Sequence, residues 1–183
     1  MRYIPSRPGR EDVVVARIAR VGHVVLSVKD TREAIAWYTS ALGMELMAHD
    51  QDMDLAFLSF GTLDHDIGLI KAPEGIVTGS SGLSHTALLI EGGESELREL
   101  FGRVKRAGGE IDFTADHGLT KSFYCFDPSG NRIEVFCQQL HGEEARSYMR
   151  EHGAVLDPYQ LEPAGTDQEP SMGRPTGVKH PAV

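Results

Sequence analysis

Residues 121–137 have the sequence KSFYCFDPSGNRIEVFC, and the rest of the fold can be inferred by working outward from them. Apolar and aromatic residues run into a turn at residues 127–131, DPSGN, and out again, which predicts a β-hairpin with a looped tip. Strand alternation on the outgoing arm places Glu134 on the opposite face from Ile133 and Val135. A carboxylate set mid-strand among apolar residues is costly to bury unless it is paired, protonated or bound to a metal. The hairpin therefore predicts that Glu134 is paired, protonated or bound to a metal.

Composition indicates a globular protein. The 183 residues suffice for one ordinary domain or two small half-modules, and no apolar run is long enough to span a bilayer. A formal net charge of −9 without a compact basic stripe argues against nucleic acid as a partner. The N-terminus, MRYIPSRPGREDVVV, lacks the apolar segment of a signal peptide, so we expect a cytoplasmic location and no membrane partner. We expect Cys125 and Cys137 to stay reduced and to act as packing residues.

Two similar series of elements are predicted along the chain. In the first, a strand at residues 21–28 precedes a helix that begins at Asp30, with Glu33 completing a capping box, and ends at Gly43. Strands at residues 55–60 and 67–71 follow, and then a linker at residues 73–82 that is rich in Pro, Gly, Ser and Thr. The second series comprises a strand at 83–90, a helix at 94–107, a short strand around Ile111 and the hairpin.

The two series form an internal repeat. The pattern His-x-x-Leu at His23 returns at His85, and each copy leads through a strand to a helix that ends at glycine. In the same overlay, residues 67–70 correspond to residues 133–136. We therefore predict an α+β fold of paired βαβββ modules that form a curved mixed sheet around a metal cleft. The predicted divisions are an N-terminal arm at 1–20, module 1 at 21–72, the linker, module 2 at 83–140, and a C-terminal helix with an irregular Pro-rich tail at 141–183.

Three residues fall on matching strand faces of this repeat, namely His23, His85 and Glu134. Two neutral imidazoles and one carboxylate form the facial triad that suits non-haem Fe(II) and leaves positions open for substrate and dioxygen. Taken alone, a histidine on a strand is more often a hydrogen-bonded core residue than a metal ligand. The coincidence of all three in a duplicated unit favours a metal site.

The sequence resembles the vicinal-oxygen-chelate superfamily and, within it, the small single-domain form of the type I extradiol (catechol 2,3-) dioxygenases. The resemblance is most specific at residues 117–137, HGLTKSFYCFDPSGNRIEVFC, and is supported by HDIGLI at 65–70 and SHTALLIE at 84–91. The chain departs from some members at Ser84, where they carry a second histidine. By position, the resemblance implies that the metal ligands are His23, His85 and Glu134, that the acid/base residue is His65, and that His117 and Tyr124 hydrogen-bond the ring substrate.

The resemblance implies an enzyme of aromatic catabolism that cleaves a catechol beside its diol with O2 at Fe(II), with Mn(II) as the alternative metal. It also implies a homo-oligomer. Two other functions remain open at this point. A non-redox lyase or isomerase of the glyoxalase-I type would use a fourth ligand where this repeat has Gly68, although Asp66 could replace it. A drug-binding protein of the bleomycin-resistance type would need no catalytic metal.

Overall fold

The computed structural model describes residues 20–79, 82–153 and 155–164. The predicted N-terminal arm, apart from Arg20, and the tail beyond residue 164 lie outside these residues. The first half of the fold contains β1 (Val24–Val28), α1 (Thr31–Leu42), β2 (Glu45–Asp50), β3 (Leu55–Ser59) and β4 (Ile67–Lys71). The second half contains β5 (Thr86–Leu89), α2 (Glu94–Arg106), β6 (Glu110–Asp116), β7 (Thr120–Phe126) and β8 (Arg132–Gln138). The final elements are α3 (Gly142–His152) and the short β9 (Asp157–Pro158).

The strands form two mixed sheets, which confirms the predicted α+β class. One sheet has the order β1-β4-β3-β2 and the other β5-β8-β7-β6-β9. In each sheet the first strand of the half runs parallel to the last, β1 beside β4 and β5 beside β8. The register pairs Val25 with Gly68 in the first sheet and Ala87 with Glu134 in the second. The overlay of the two halves inferred from the sequence is therefore confirmed, and Gly68 occupies the position that Glu134 has in the second half.

The helix boundaries follow from local sequence. Asp30 adopts an extended backbone conformation at the N-cap of α1, and its carboxylate accepts a hydrogen bond of 2.8 Å from the Glu33 backbone N–H. Gly43 ends the helix in the left-handed conformation, at φ +73°, which glycine adopts at little cost. Both features match the prediction. The predicted strands at 21–28 and 83–90 are shorter in the structure, and β2 and β9 were not predicted.

Both helices pack on the inner faces of the sheets and share one core. Helix α1 contributes Trp37, Tyr38 and Leu42, and α2 contributes Leu97, Phe101 and Val104, all of them buried. On β8 the residues that enter this core are Ile133, Val135 and Cys137. Glu134 consequently lies on the opposite face of that strand, as alternation predicted.

The core also explains the cysteines. Cys125 and Cys137 are free and buried, and burial raises the pKa of the Cys125 thiol to about 12. A thiol with so high a pKa remains protonated and is a poor nucleophile, since the thiolate is the reactive form. This environment agrees with the packing role predicted for the two residues.

The faces that bear the repeated histidines are open. Strands β1 and β5 are the outer strands of their sheets, and in the described part of the chain neither pairs with a further strand on its outer edge. Val25 on β1 is 49% exposed and Leu89 on β5 is 61% exposed.

No helix in the three described ranges is both long enough and apolar enough to cross a bilayer.

Candidate active site

The site is built around Glu134 on the outer face of β8. Its side chain is largely buried, with the residue 8% exposed, and Ser122 on the neighbouring β7 donates a hydrogen bond of 2.6 Å to its Oε1. The antiparallel register pairs Tyr124 directly with Glu134 and Ser122 with Phe136, which places both β7 side chains on the same face as the carboxylate. Ser122 was not among the predicted site residues. The alternation of β7 could have identified it, because Ser122 and Tyr124 are two residues apart and therefore lie on one face of the strand.

His85 supplies the second group. It directly precedes β5, the strand that runs parallel to β8, and its Nε2 lies 3.1 Å from Glu134 Oε2. Ser122 engages only Oε1, so the other oxygen of Glu134 and the imidazole of His85 face one another. Imidazole nitrogen and carboxylate oxygen, converging in this way, are the donors that a divalent transition metal prefers.

His117 and Tyr124 form a hydrogen-bonded pair beside these two groups. His117 Nε2 lies 3.0 Å from the Tyr124 hydroxyl oxygen, and His117 Nδ1 lies 2.6 Å from the carbonyl oxygen of Val155. A carbonyl can only accept, so Nδ1 carries a proton. In the neutral form of the ring, Nε2 is then an acceptor for the Tyr124 hydroxyl; the same Nε2 lies 3.6 Å from Glu134 Oε1.

The surroundings keep Tyr124 protonated. Burial, followed by the negative charge of Glu134, raises the pKa of the Tyr124 phenol well above its ordinary value. The ring of Tyr124 stacks on Phe113 with a centroid distance of 4.2 Å, and the guanidinium of Arg132 lies 5.4 Å from the ring centroid. Tyr124 is thus a rigid hydroxyl group that remains a proton donor at neutral pH.

These four side chains open into a cavity of about 350 Å³. Its remaining lining is mostly apolar and includes three residues from the C-terminal part of the chain; the lining residues are Leu119, Thr120, Met149, Gly153 and Val155. The sequence predicted only an isolated helix and irregular chain there. A cavity with polar groups clustered together and otherwise apolar walls suits a small ligand that carries its polar atoms together.

His23 and His65 lie apart from this cluster. Their rings contact each other at the first sheet, with a centroid distance of 4.4 Å, and His65 Nδ1 lies 3.1 Å from Asp64 Oδ2. Among residues 20–79, 82–153 and 155–164, no three His, Cys, Asp or Glu side chains come together as a metal site. The structure therefore assembles His85, Glu134, His117 and Tyr124, and separately pairs His23 with His65.

Asp66, the alternative fourth ligand, has a local role. Its Oδ2 accepts a hydrogen bond of 2.8 Å from the Phe60 backbone N–H and one of 3.3 Å from the Ser59 hydroxyl. The carboxylate thus closes the connection between β3 and β4. Gly68, two residues later, has no side chain to bind a metal, so the first sheet offers no equivalent of Glu134 at this register position.

Comparison with known families identifies the superfamily of the chain. The family model described as Glyoxalase/Bleomycin resistance protein/Dioxygenase superfamily matches residues 20–135. The chain belongs to this superfamily. The matched range runs from the start of the first half to the middle of β8 and contains all six of the predicted site residues.

Curated proteins similar to the chain include a metapyrocatechase and a biphenyl-diol dioxygenase. The chain is 34% identical over 128 residues to "Metapyrocatechase" of Pseudomonas sp. (strain CF600), an alignment that covers 66% of this chain and 40% of that protein. It is 27% identical over 162 residues to "Biphenyl-2,3-diol 1,2-dioxygenase 2" of Rhodococcus globerulus, covering 85% of this chain and 84% of that one. The chain thus spans about two fifths of the metapyrocatechase and most of the Rhodococcus protein.

Solved structures show the same fold. The fosfomycin resistance protein FosX of Listeria monocytogenes, in a monoclinic form, matches with a TM-score of 0.58 at 20% identity, covering 72% of this chain and 98% of FosX. The integron cassette protein VCH_CASS1 of V. Cholerae matches with a TM-score of 0.51 at 24% identity, covering 69% of this chain and 100% of that protein. Likeness at these identities establishes the architecture, and the chemistry has to be inferred from the site.

Proposed function

We propose that this protein is an extradiol dioxygenase that cleaves a catecholic ring next to its two hydroxyl groups, using O2 and a non-haem Fe(II), with Mn(II) as the alternative metal. The observation that carries the proposal is the approach of His85 Nε2 to Glu134 Oε2, 3.1 Å apart, in a cavity that also presents the His117–Tyr124 pair. The dioxygenases among the curated relatives support the same chemistry.

The donor set fits a divalent metal. His85 and Glu134 would be two of its ligands, because a buried carboxylate oxygen that converges with an imidazole nitrogen is a donor pair that suits a divalent cation. The third ligand in the proposal is His23. Bound Fe(II) would supply the centre at which electrons pass from the ring to dioxygen.

The remaining polar groups handle protons and orient the ring. The Tyr124 oxygen would accept a hydrogen bond from a substrate hydroxyl while the Tyr124 hydroxyl donates to His117 Nε2, so a proton that the diol loses would pass to His117 through Tyr124. His65, next to His23, would serve as the acid/base group for the oxygen atoms that come from O2. The apolar walls at Leu119 and Met149 would hold the hydrocarbon edge of the ring and exclude water.

We further propose that His23 reaches the site from a second copy of the chain. Three features support this. Strands β1 and β5 both have open outer edges, their exposed faces carry apolar Val25 and Leu89, and the repeat makes the two strands equivalent. A two-fold dimer in which β1 of each copy lies beside β5 of the other would bury both edges and close two identical sites.

A mixing experiment tests this assembly. His23→Ala and His85→Ala variants are purified separately, found inactive, and then allowed to exchange subunits at equal concentrations. Random exchange makes half of the dimers mixed, and each mixed dimer has one site with both histidines, so about a quarter of the wild-type activity should return. Sites contained within one chain would leave the mixture inactive. Mixing His85→Ala with Glu134→Ala is the matched control. One chain supplies both His85 and Glu134 to a site, so every site in a mixed dimer lacks one of them and no activity should return.

The activity itself is tested by anaerobic reconstitution with Fe(II), followed by catechol, 3-methylcatechol and 2,3-dihydroxybiphenyl under air. Oxygen uptake with a yellow product, abolished by Glu134→Gln, is the expected result. Metal-loaded, folded protein that consumes no oxygen with any of the three diols would overturn the proposal in favour of Lewis-acid chemistry.

A further inference from the structure

Residues 142–153 and 155–161, in the C-terminal part of the chain, lie against the second sheet. Helix α3 has no buried residues, so it inserts no side chain into the core. The chain after it is firmly held, since β9 pairs with β6 and Leu161 is 6% exposed in the core. Thr114 on β6 also donates from its hydroxyl to the carbonyl of Tyr159. The exposed helix is thus connected to the second sheet by the strand β9, which follows it and pairs with β6.

Two contacts fix where α3 lies. Tyr148 packs directly on Gly118, in the turn between β6 and β7, where an added Cβ would lie 1.9 Å from the tyrosine hydroxyl. Gly118 has a φ of +77°, so both its backbone conformation and this close approach favour glycine. Beyond the helix, the Val155 carbonyl accepts the hydrogen bond of 2.6 Å from His117 Nδ1. The helix is therefore held against the residues that flank and include His117.

This placement makes the segment part of the cavity wall. Met149, Gly153 and Val155 line the same cavity as His85, His117, Tyr124 and Glu134. Of the three, only Met149 has a long side chain that reaches from an exposed helix, and it is 48% exposed. A methionine is unbranched and flexible, and it adapts its shape to the ligand it touches.

We propose that Met149 is a specificity-determining residue, which sets how large a substituent on the ring the cavity accepts. The proposal rests on the proposed diol substrate. With the diol oxygens at the polar cluster, the substituent extends along the apolar lining, and Met149 is the part of that lining that a larger group would have to displace. Val155 and Tyr148 act as positioning residues, because Val155 accepts a hydrogen bond from His117 and Tyr148 packs on Gly118, and these contacts hold α3 beside the cavity.

Binding without turnover tests the proposal. The Fe(II)-loaded protein is titrated anaerobically by calorimetry with catechol and with 2,3-dihydroxybiphenyl, for the wild type, Met149→Ala and Met149→Trp. Shortening the side chain should raise the ratio of the biphenyl-diol affinity to the catechol affinity by about tenfold, and tryptophan should lower it by a similar factor, since pocket contacts of this size discriminate at that level. Met53→Ala, which removes the same atoms from the exposed turn before β3, should leave the ratio unchanged.

The outcomes separate this inference from the function on which it rests. A wild type that binds diols, together with ratios within about twofold in both Met149 variants, would overturn the role of Met149 alone. A wild type that binds neither diol would overturn the proposed function and the inference with it. Because α3 has no buried residues, both variants should fold, and thermal unfolding of each checks that they do.

Discussion

Ser122 offers a sharp test of how the site is built. Its hydroxyl is fully buried and donates to Glu134 Oε1 at 2.6 Å, which fixes the carboxylate and leaves Oε2 directed at His85. Ser122→Ala removes this donor without changing the strand. A hydrogen bond to a charged group contributes about 1.5–3 kcal/mol. If that energy serves to orient a metal ligand, metal affinity should fall by about 10- to 100-fold, the range seen for partners of this kind.

The two figures agree, because each tenfold in affinity corresponds to about 1.4 kcal/mol. Affinity is measured anaerobically by competition with a chromophoric chelator, using Fe(II) and then the less oxidisable Mn(II). Ser129→Ala is the matched control: Ser129 is also buried, and its hydroxyl accepts a hydrogen bond of 2.9 Å from the Lys29 backbone N–H, away from the site. An affinity for Ser122→Ala within about twofold of wild type, or an equal loss in Ser129→Ala, would refute the reasoning.

Two further predictions concern contacts that hold the fold together. Tyr38→Phe removes the hydroxyl that donates to Asp127 Oδ2 at 3.1 Å and links α1 to the hairpin turn, so denaturant titration should show a loss of about 1–2 kcal/mol; an unchanged midpoint would contradict this. Glu94 lies 2.8 Å from Lys121 Nζ, and this hydrogen bond is the largest of the causes that lower the pKa of its carboxyl to about 2. A lowered carboxyl pKa means that the stabilisation is complete above the ordinary value and is lost as pH falls through about 2. The difference in melting temperature between wild type and Glu94→Gln should therefore shrink from pH 5 to pH 2.5, and a constant difference would count against the assignment.

The sequence predicted the elements whose signals are local. Alternation around Glu134 gave its face correctly, and the repeated His-x-x-Leu pattern gave the equivalence of β1 with β5 that the strand register confirms. Strand β2 was missed because its residues are mostly exposed and show no alternation of burial. A strand with neither face in the core carries little periodic signal.

The parts of the site that were not predicted depend on contacts between residues distant in sequence. Val155 meets His117 across 38 positions, and Met149 enters the cavity from a helix whose sequence pattern indicates only a solvated surface. Periodicity identifies which face of an element is apolar, but it does not identify which distant groups that face will meet. The location of His23 shows the same limit, because the partner of an open strand edge is not encoded by the strand itself.

The most direct test of the proposed function is the stoichiometry and mass of the product. Anaerobic Fe(II)-loaded protein is mixed with catechol and a measured amount of O2, and the product is analysed by mass spectrometry. The proposal predicts one O2 consumed per diol and a yellow ring-opened semialdehyde heavier than the diol by two oxygen atoms; a colourless dicarboxylic acid of the same mass, from cleavage between the two hydroxyls, would contradict it. A product lighter than the diol by two hydrogen atoms, as in simple oxidation to a quinone, or recovery of unchanged catechol with no oxygen consumed, would contradict it.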